Sequence, residues 1–136
     1  MPHILIIEDE EILRRLISEE LQIHDKYKVS TAVDGVDGWE KIRALKPSII
    51  LLDLLMPRMD GYEVLTLLRA NPEVADIPCI VISNSGQVDD LNRAYSSGAD
   101  DVLIKADFNP DQLSGKIDAL LHGRAQKKKE AATKLA

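Results

Sequence analysis

The sequence has a single cysteine and no long apolar run, and each shortage excludes a class of protein. Cys79 is the only cysteine among 136 residues, so the chain cannot form an internal disulfide. Because Cys79 lies in an apolar run, we predict a buried core residue rather than a reactive thiol. No apolar run approaches the ~18 residues that a membrane-spanning helix requires. The N-terminus lacks a basic region and reaches acidic residues by Glu8, unlike a secretory signal, so we expect a cytoplasmic protein without a membrane partner.

Basic residues are also in the minority, and they are concentrated at one end of the chain. The net charge is −6, from 17 Lys and Arg against 23 Asp and Glu. Residues 124–136 hold five of the basic residues and one acidic residue, which leaves 12 basic and 22 acidic residues in 1–123. Such an acidic surface repels phosphate backbones. We therefore predict that the domain itself does not bind nucleic acid directly.

The charge distribution divides the chain into a predicted domain at residues 1–123 and a basic C-terminal tail at residues 124–136. A length of 136 residues corresponds to one domain with a substantial core. We interpret the tail as a helix end, a linker stub or a remnant of cloning. A contact of the three lysines at 127–129 with nucleic acid or a membrane is the alternative interpretation.

Apolar runs alternate with helical patterns five times along the chain. The apolar runs predict strands at residues 3–7, 28–32, 48–53, 79–83 and 101–105. Apolar residues at a period of 3.6 predict helices at 10–23, 34–45, 60–70 and 87–97, with a last helix that begins at Asn109 and Pro110. The predicted inward positions are Ile12, Leu13, Leu16, Ile17 and Leu21 in the first helix, Val36, Trp39 and Ile42 in the second, and Leu113, Ile117, Leu120 and Leu121 in the last.

This alternation predicts an α/β fold, a doubly wound five-stranded parallel sheet with helices on both faces. Strands one, three and four are continuous apolar runs, as expected for central strands that are buried on both sides. Strand two is half polar, which fits a strand at the edge of the sheet. The flavodoxin-like order 2-1-3-4-5 satisfies these requirements, and its direction of winding reverses between strands one and three.

Polar residues follow the apolar part of the predicted strands. Strand one leads into Glu8 and Asp9, strand three ends in Asp53, strand four in Ser83 and strand five in Lys105. In sheets of this type, ligands bind outside the carboxyl ends of the strands, at the point where the winding reverses. We therefore expect these side chains to surround one crevice. For any single acid, capping of the next helix is the alternative role.

The residue types in this crevice favour phosphoryl transfer. Clustered carboxylates repel each other unless a cation is bound, and oxygen ligands at a partly open site suit Mg²⁺. A carboxylate nucleophile can form a covalent intermediate, so we predict that Asp53 attacks phosphorus to give an acyl phosphate. In this interpretation Lys105 supplies a compact positive charge on the side away from the metal. The Ser83 hydroxyl donates to a phosphoryl oxygen.

Four segments carry a resemblance to a known family over residues 3–122. IIEDE, LLDLLMPRMDG, CIVIS and GADDVLIK occur in that order, and together they resemble the receiver domain of a bacterial two-component response regulator. The resemblance implies that Asp53 is the phosphoacceptor and that Asp9 and Asp53 bind Mg²⁺. It further implies a supporting role for Glu8 through water and a ligand role for the backbone carbonyl of Leu55. Ser83 and Lys105 stand at the family's hydroxyl and lysine positions.

The resemblance also implies a signalling role and partners. A sensor histidine kinase or a phosphotransfer protein would donate the phosphoryl group, and phosphorylation would shift the face built from helix four, strand five and helix five. That face would control a downstream protein or an output domain beyond the present chain. The protein would be no enzyme beyond catalysing its own phosphorylation and dephosphorylation.

Three positions depart from the family pattern. Val102 replaces the frequent aromatic residue three positions before the lysine, Ala106 replaces the usual proline after it, and Asn84 follows Ser83 where a small residue is usual. These departures leave open the alternative that the chain is a receiver that binds partners without being phosphorylated. A flavin carrier on the same fold is the other alternative. It would need a phosphate-binding loop after strand one, where residues 8–14 are mostly acidic.

Overall fold

The computed structural model describes the backbone of residues 1–135 and the side chains of residues 1–123. Five strands alternate with five helices. The strands are β1 (His3–Ile7), β2 (Lys28–Ala32), β3 (Ile49–Asp53), β4 (Cys79–Ser83) and β5 (Asp101–Ile104). The helices are α1 (Glu11–Gln22), α2 (Gly35–Leu45), α3 (Gly61–Ala70), α4 (Val88–Ser96) and α5 (Pro110–Leu135), with a short 3₁₀ turn at Lys105–Asp107.

The strands form one parallel sheet in the order β2-β1-β3-β4-β5, as predicted. The register brings the carboxyl ends of the strands to the same edge. Ile7 at the end of β1 pairs with Ala32 of β2 and Leu52 of β3. Ser83 at the end of β4 pairs with Ile104 of β5. Residues that follow these strands therefore meet at one edge of the sheet.

Two apolar clusters cover the two faces of the sheet. Successive residues of a strand point to opposite faces, so Leu5 and Ile7 belong to one cluster while Ile4 and Ile6 belong to the other. The first cluster includes side chains of α2, α3 and α4, and the second includes side chains of α1 and α5. The central strands are buried on both sides, which explains why β1, β3 and β4 are continuous apolar runs.

Side chains at the starts of α3 and α5 accept hydrogen bonds from the first helical turn. The Asp60 carboxylate accepts a hydrogen bond from the Glu63 backbone N–H at 2.9 Å, immediately before α3. The Asn109 side chain accepts from the backbone N–H groups of Asp111 and Gln112 at the start of α5. These bonds satisfy donors that the first helical turn leaves unpaired.

The buried stripe of α1 is narrower than predicted. Ile17 and Leu21 are buried one turn apart, whereas Ile12 is 86% exposed and Leu16 is 43% exposed. Each of these exposed residues precedes an inward-facing position by one residue, which rotates it by about 100° around the helix. The prediction that Ile12 and Leu16 face the core was therefore wrong.

In α2, glycine residues occupy two of the buried positions. Val36 was predicted to face the core, but it is exposed. Gly35 and Gly38 are buried instead, and a Cβ atom on Gly38 would lie 2.8 Å from Ile7 side-chain atoms. A Cβ atom on Gly35 would overlap the Met59 carbonyl. The backbone of α2 thus lies directly against its neighbours, and Val36 points away.

β5 ends at Ile104, so Lys105 is the first residue of a 3₁₀ turn rather than the last residue of the strand.

Cys79 is buried, as predicted, and burial raises the pKa of its thiol to about 12. No helix among the described residues is long and apolar enough to cross a membrane. The predicted boundary at residues 123/124 falls within α5, and the side chains of the basic tail, 124–136, lie outside the described part.

Candidate functional site

Three carboxylates converge where β1 and β3 end. Glu8 and Asp9 follow β1, and Asp53 is the last residue of β3, the neighbouring strand. One carboxylate oxygen from each of the three lies within 4.8 Å of the others. Glu8 and Asp53 are almost completely buried, at 0% and 1% exposure, and Asp9 is half-buried. The parallel register therefore produces the acidic crevice that the sequence predicts.

Lys105 is the cation of this crevice. Its Nζ atom lies 3.1 Å from Glu8 Oε1, 3.4 Å from Asp53 Oδ1 and 3.4 Å from Glu10 Oε1. The 3₁₀ turn after β5 places it beyond β4, and its long side chain reaches back to β1 and β3. The structure thus brings Lys105 to the predicted acids.

Buried carboxylate oxygens in the crevice lack hydrogen-bond partners. Among the residues that the structure describes, no donor forms a hydrogen bond with either Glu8 oxygen or with Asp53 Oδ2, although the Lys105 ammonium lies 3.1 Å from Glu8 Oε1 as an ion pair. Unsatisfied buried anionic oxygens are costly and are expected to bind a cation. The three carboxylates offer the hard oxygen ligands that Mg²⁺ prefers. The donor set therefore fits this metal.

The crevice perturbs the pKa values of its own groups. Burial, together with Glu8 and Asp9, raises the pKa of Asp53 from 3.8 to about 8, and Lys105 only partly opposes this shift. For Lys105, burial by itself lowers the pKa, but contacts with Glu8, Asp53 and Glu10 outweigh it and the net shift is upward. A strongly shifted carboxylate in a crevice is typical of functional sites.

Ser83 lies beside the crevice, with its hydroxyl directed into its own loop. Its Oγ donates to the Ser85 carbonyl at 3.0 Å and accepts from the Ser85 N–H at 3.1 Å. The Ser85 hydroxyl in turn donates to Asp90 Oδ2 at 2.6 Å. Ser83 and Asp53 nevertheless line one cavity of about 160 Å³, together with Asn84 and Leu55. The hydroxyl is therefore near Asp53 but is occupied elsewhere.

The departures from the family pattern have visible structural counterparts. Val102 is buried in the core. Because valine has no aromatic ring, this position cannot provide a ring that turns inward on phosphorylation. No peptide bond in the described chain is cis, so the bond between Lys105 and Ala106 is trans.

Leu55 is exposed, and its backbone N–H donates to Asp53 Oδ1 at 3.4 Å.

Two residues of the site went unrecognised in the sequence. Arg14 Nη1 donates to the backbone carbonyls of Glu8 and Asp9, at 2.9 and 3.4 Å, and so secures the loop that carries both acids. Glu10 contacts Lys105. The Glu8 and Asp9 carbonyls reach Arg14, and Lys105 reaches Glu10, only once the chain has folded. The sequence therefore could not predict either contact. For Glu10, its place directly after two crevice acids was the only signal available.

Comparison with known proteins supports the same family. Residues 4–118 match the family model described as "Response regulator receiver domain". The chain is 39% identical over 121 residues to the DNA-binding dual master transcriptional regulator RpaA of Synechocystis sp., an alignment that covers 89% of this chain and 49% of that protein. It is 36% identical over 127 residues to the response regulator ArlR of Staphylococcus saprophyticus, covering 93% of this chain and 56% of that protein.

Solved structures show the same fold. The chemotaxis response regulator CheY4 of Vibrio cholerae superposes with a TM-score of 0.81 at 26% identity, covering 88% of this chain and 98% of that one. The chain spans about half the length of the curated relatives that it matches. Sequence, fold and topology agree, and the chain belongs to the response regulator receiver domain family of two-component signalling.

Proposed function

We propose that this receiver domain is a phosphorylation-controlled switch in which Asp53 accepts a phosphoryl group in a Mg²⁺-dependent reaction. The observation that carries this proposal is the position of Asp53. Its carboxylate is buried between two further acids and Lys105, with one oxygen unpaired. A structural acid in the core would be fully hydrogen-bonded. An acid held rigidly with a free oxygen is suited to react.

The metal would be held on the β1 side of Asp53. We assign Asp9 and Asp53 as direct ligands, the Leu55 backbone carbonyl as a further ligand, and Glu8 as a supporting acid that acts through water. When bound, Mg²⁺ supplies positive charge to the carboxylates and to the phosphoryl oxygens. Arg14 keeps the loop of Glu8 and Asp9 in place through its two backbone contacts.

The Asp53 carboxylate is the nucleophile in this proposal. Its raised pKa in the metal-free crevice arises from burial and from Glu8 and Asp9, so added positive charge returns it to the ionised form. A carboxylate oxygen then forms a bond to phosphorus while the bond between phosphorus and the donor's leaving atom breaks. The product is an acyl phosphate, which water later hydrolyses to release inorganic phosphate.

Lys105 and Ser83 would convert the new phosphoryl group into a conformational change. Lys105 already lies 3.4 Å from Asp53 Oδ1, and it would hold a phosphoryl oxygen. The Ser83 hydroxyl would exchange its neutral acceptor, the Ser85 carbonyl, for a charged phosphoryl oxygen, which is a stronger acceptor. This exchange moves the loop before α4. The face of α4, β5 and α5 would then report the phosphorylated state to a partner.

The partners are inferred from the family and from the relatives. We propose a sensor histidine kinase or a phosphotransfer protein as the donor, in the cytoplasm. RpaA is described as DNA-binding and is about twice as long as this chain, so the reader of the switch would be an output domain or a separate downstream protein. The acidic surface of residues 1–123 favours such a protein reader over direct DNA contact by the receiver.

Two other functions are supported less well. A flavin carrier needs phosphate-binding backbone and hydroxyl groups after β1, where this chain has Glu8, Asp9, Glu10 and Glu11. A receiver that only binds partners would have no use for an unpaired Asp53 oxygen beside Lys105. The catalytic activity that we propose is limited to the domain's own phosphorylation and dephosphorylation.

The proposal is tested by intact mass after incubation with acetyl phosphate, with and without Mg²⁺. We expect one phosphoryl adduct that needs Mg²⁺ and is lost on hydroxylamine treatment, which cleaves acyl phosphates. Asp53→Asn should carry no adduct. Asp60→Asn is the matched control, because asparagine preserves the cap of α3 and the change removes a nearby carboxylate without altering the crevice. Labelling of Asp53→Asn at the wild-type level would refute the assignment.

A further inference from the structure

Glu10 directly precedes α1, where a capping side chain is expected, yet its carboxylate makes no capping hydrogen bond. The side chain extends towards Lys105 instead, and Oε1 lies 3.4 Å from the ammonium group. Glu10 is 59% exposed, in contrast to the buried Glu8 and Asp53. Glu10 thus contacts the Lys105 ammonium instead of capping α1. This choice of partner indicates that the contact with Lys105 has a role.

Three carboxylates surround the Lys105 ammonium at 3.1 to 3.4 Å. Its contact with Glu10 is a hydrogen bond, which a new acceptor in the crevice would have to replace. Glu8 and Asp53 are buried acids that need a nearby cation, so their contacts are expensive to lose. Glu10 is the one partner that water can solvate when the contact breaks. A phosphoryl oxygen on Asp53 would therefore displace Glu10 first.

We propose that Glu10 is a positioning residue that acts through Lys105. In the resting state it competes with the incoming phosphoryl group for the ammonium, which slows phosphorylation and weakens the phosphorylated state. Phosphorylation replaces the contact between Glu10 and Lys105 with one between Lys105 and a phosphoryl oxygen, and the Glu10 carboxylate turns to solvent. This inference rests on the function proposed for Asp53 and adds a residue that controls its rate.

The expected size of the effect follows from the exposure of Glu10. A solvent-exposed ion pair contributes little, so its removal corresponds to a change of about two- to fivefold in a rate or an equilibrium constant. Glu10→Gln should accordingly be phosphorylated about two- to fivefold faster than wild type by acetyl phosphate at saturating Mg²⁺. Its affinity for beryllium fluoride, which imitates a phosphoryl group on a carboxylate, should increase by a similar factor.

Two further variants separate the contact from the general effect of negative charge. Glu10→Asp keeps the charge but is one methylene shorter, so it should lose the contact with Lys105 and react as fast as Glu10→Gln. Glu11→Gln removes a charge from the adjacent exposed residue and should react like wild type. A wild-type rate for Glu10→Asp would overturn the proposal in favour of simple repulsion of the anionic donor. An equal acceleration by Glu11→Gln would do the same.

A double-mutant cycle with Lys105→Ala tests whether Glu10 acts through the lysine. The acceleration caused by Glu10→Gln should disappear in the Lys105→Ala background, and a persisting acceleration would overturn the proposal. If Lys105→Ala reacts too slowly, the beryllium fluoride affinities complete the cycle. Absence of labelling in wild type would instead refute the function proposed for Asp53. A labelled wild type with an unchanged Glu10→Gln would refute only the role of Glu10.

Discussion

The Lys105 ammonium lies 3.4 Å from Asp53 Oδ1, although α3, β4, α4 and β5 separate the two residues along the chain. The same ammonium lies 3.1 Å from the fully buried Glu8. One cation thus compensates two buried acids, one that follows β1 and one at the end of β3. Lys105 therefore contributes to the stability of the unphosphorylated domain.

Lys105→Ala should be destabilised in the absence of metal and still accept a phosphoryl group. Removing one partner of a buried ion pair leaves uncompensated charge and costs about 3–5 kcal/mol, so we expect a loss towards the lower end of that range because Asp53 can take up a proton. Urea denaturation in EDTA measures the loss, and Lys28→Ala, on the exposed edge strand, is the control for a removed surface lysine.

Lys105→Ala should also undergo a smaller conformational change on phosphorylation than wild type. Hydrogen exchange of α4 and β5 should change less on phosphorylation than in wild type, because no cation draws the phosphoryl group towards β5. An unchanged exchange response of Lys105→Ala would argue against the role assigned to this lysine.

Asp53→Asn should stabilise the metal-free protein at alkaline pH. The pKa of Asp53 is about 8 in the folded protein and near 3.8 when unfolded, so the folded state binds more protons between these values. The free energy of unfolding of wild type should therefore fall as the pH rises from about 4 to 8. Asparagine carries no charge, and the variant should be more stable than wild type at pH 8 by about 1–3 kcal/mol.

Thermal denaturation in EDTA across this pH range measures the effect, which should be smallest near pH 4. Asp60→Asn serves as the control, since its carboxylate lies outside the crevice and its cap is preserved. A difference between Asp53→Asn and wild type that does not depend on pH would contradict the assigned shift.

Mg²⁺ should stabilise the protein through the three crevice acids. A ligand that binds only the folded state adds about 2.7 kcal/mol at a concentration of 100 times its Kd. The melting temperature of wild type should accordingly rise with Mg²⁺ concentration. Glu8→Gln and Asp9→Asn should require higher concentrations for the same rise, while Glu11→Gln should follow wild type. Identical Mg²⁺ curves for Asp9→Asn and wild type would place the metal elsewhere.

Gly38→Ala should destabilise the domain, although alanine is the better helix former. The new methyl group would lie 2.8 Å from Ile7 side-chain atoms in the packed core, and overpacking of this kind costs about 1–3 kcal/mol. Gly115→Ala in α5 is the matched control, because no described residue outside the neighbouring stretch of α5 comes within 4 Å of its Cβ position. That change should stabilise the protein by about 0.5–1 kcal/mol. Urea midpoints of the two variants should move in opposite directions.

The acidic crevice was predictable because it depends on strand order and parallel direction. Apolar runs identified the strands, and each acid or lysine follows its run directly in the sequence. The exposure of Ile12 and Leu16 was not predictable, because the apolar residues of α1 span about half of its circumference and only packing selects the narrower stripe that is buried. The direction of the Ser83 hydroxyl depends on the carbonyl and N–H of Ser85, which are positioned by the folded loop.

The parallel sheet, its strand order and the acids at its edge follow from the sequence, because hydrophobic periodicity identifies the strands and each acid directly follows or ends its apolar run. The pairing of these acids with a cation depends on the folded chain. Lys105 contacts Glu8, Glu10 and Asp53 because a turn after β5 directs a flexible side chain across the edge of the sheet. Such contacts depend on distances between elements that are remote in sequence, and no local pattern encodes them.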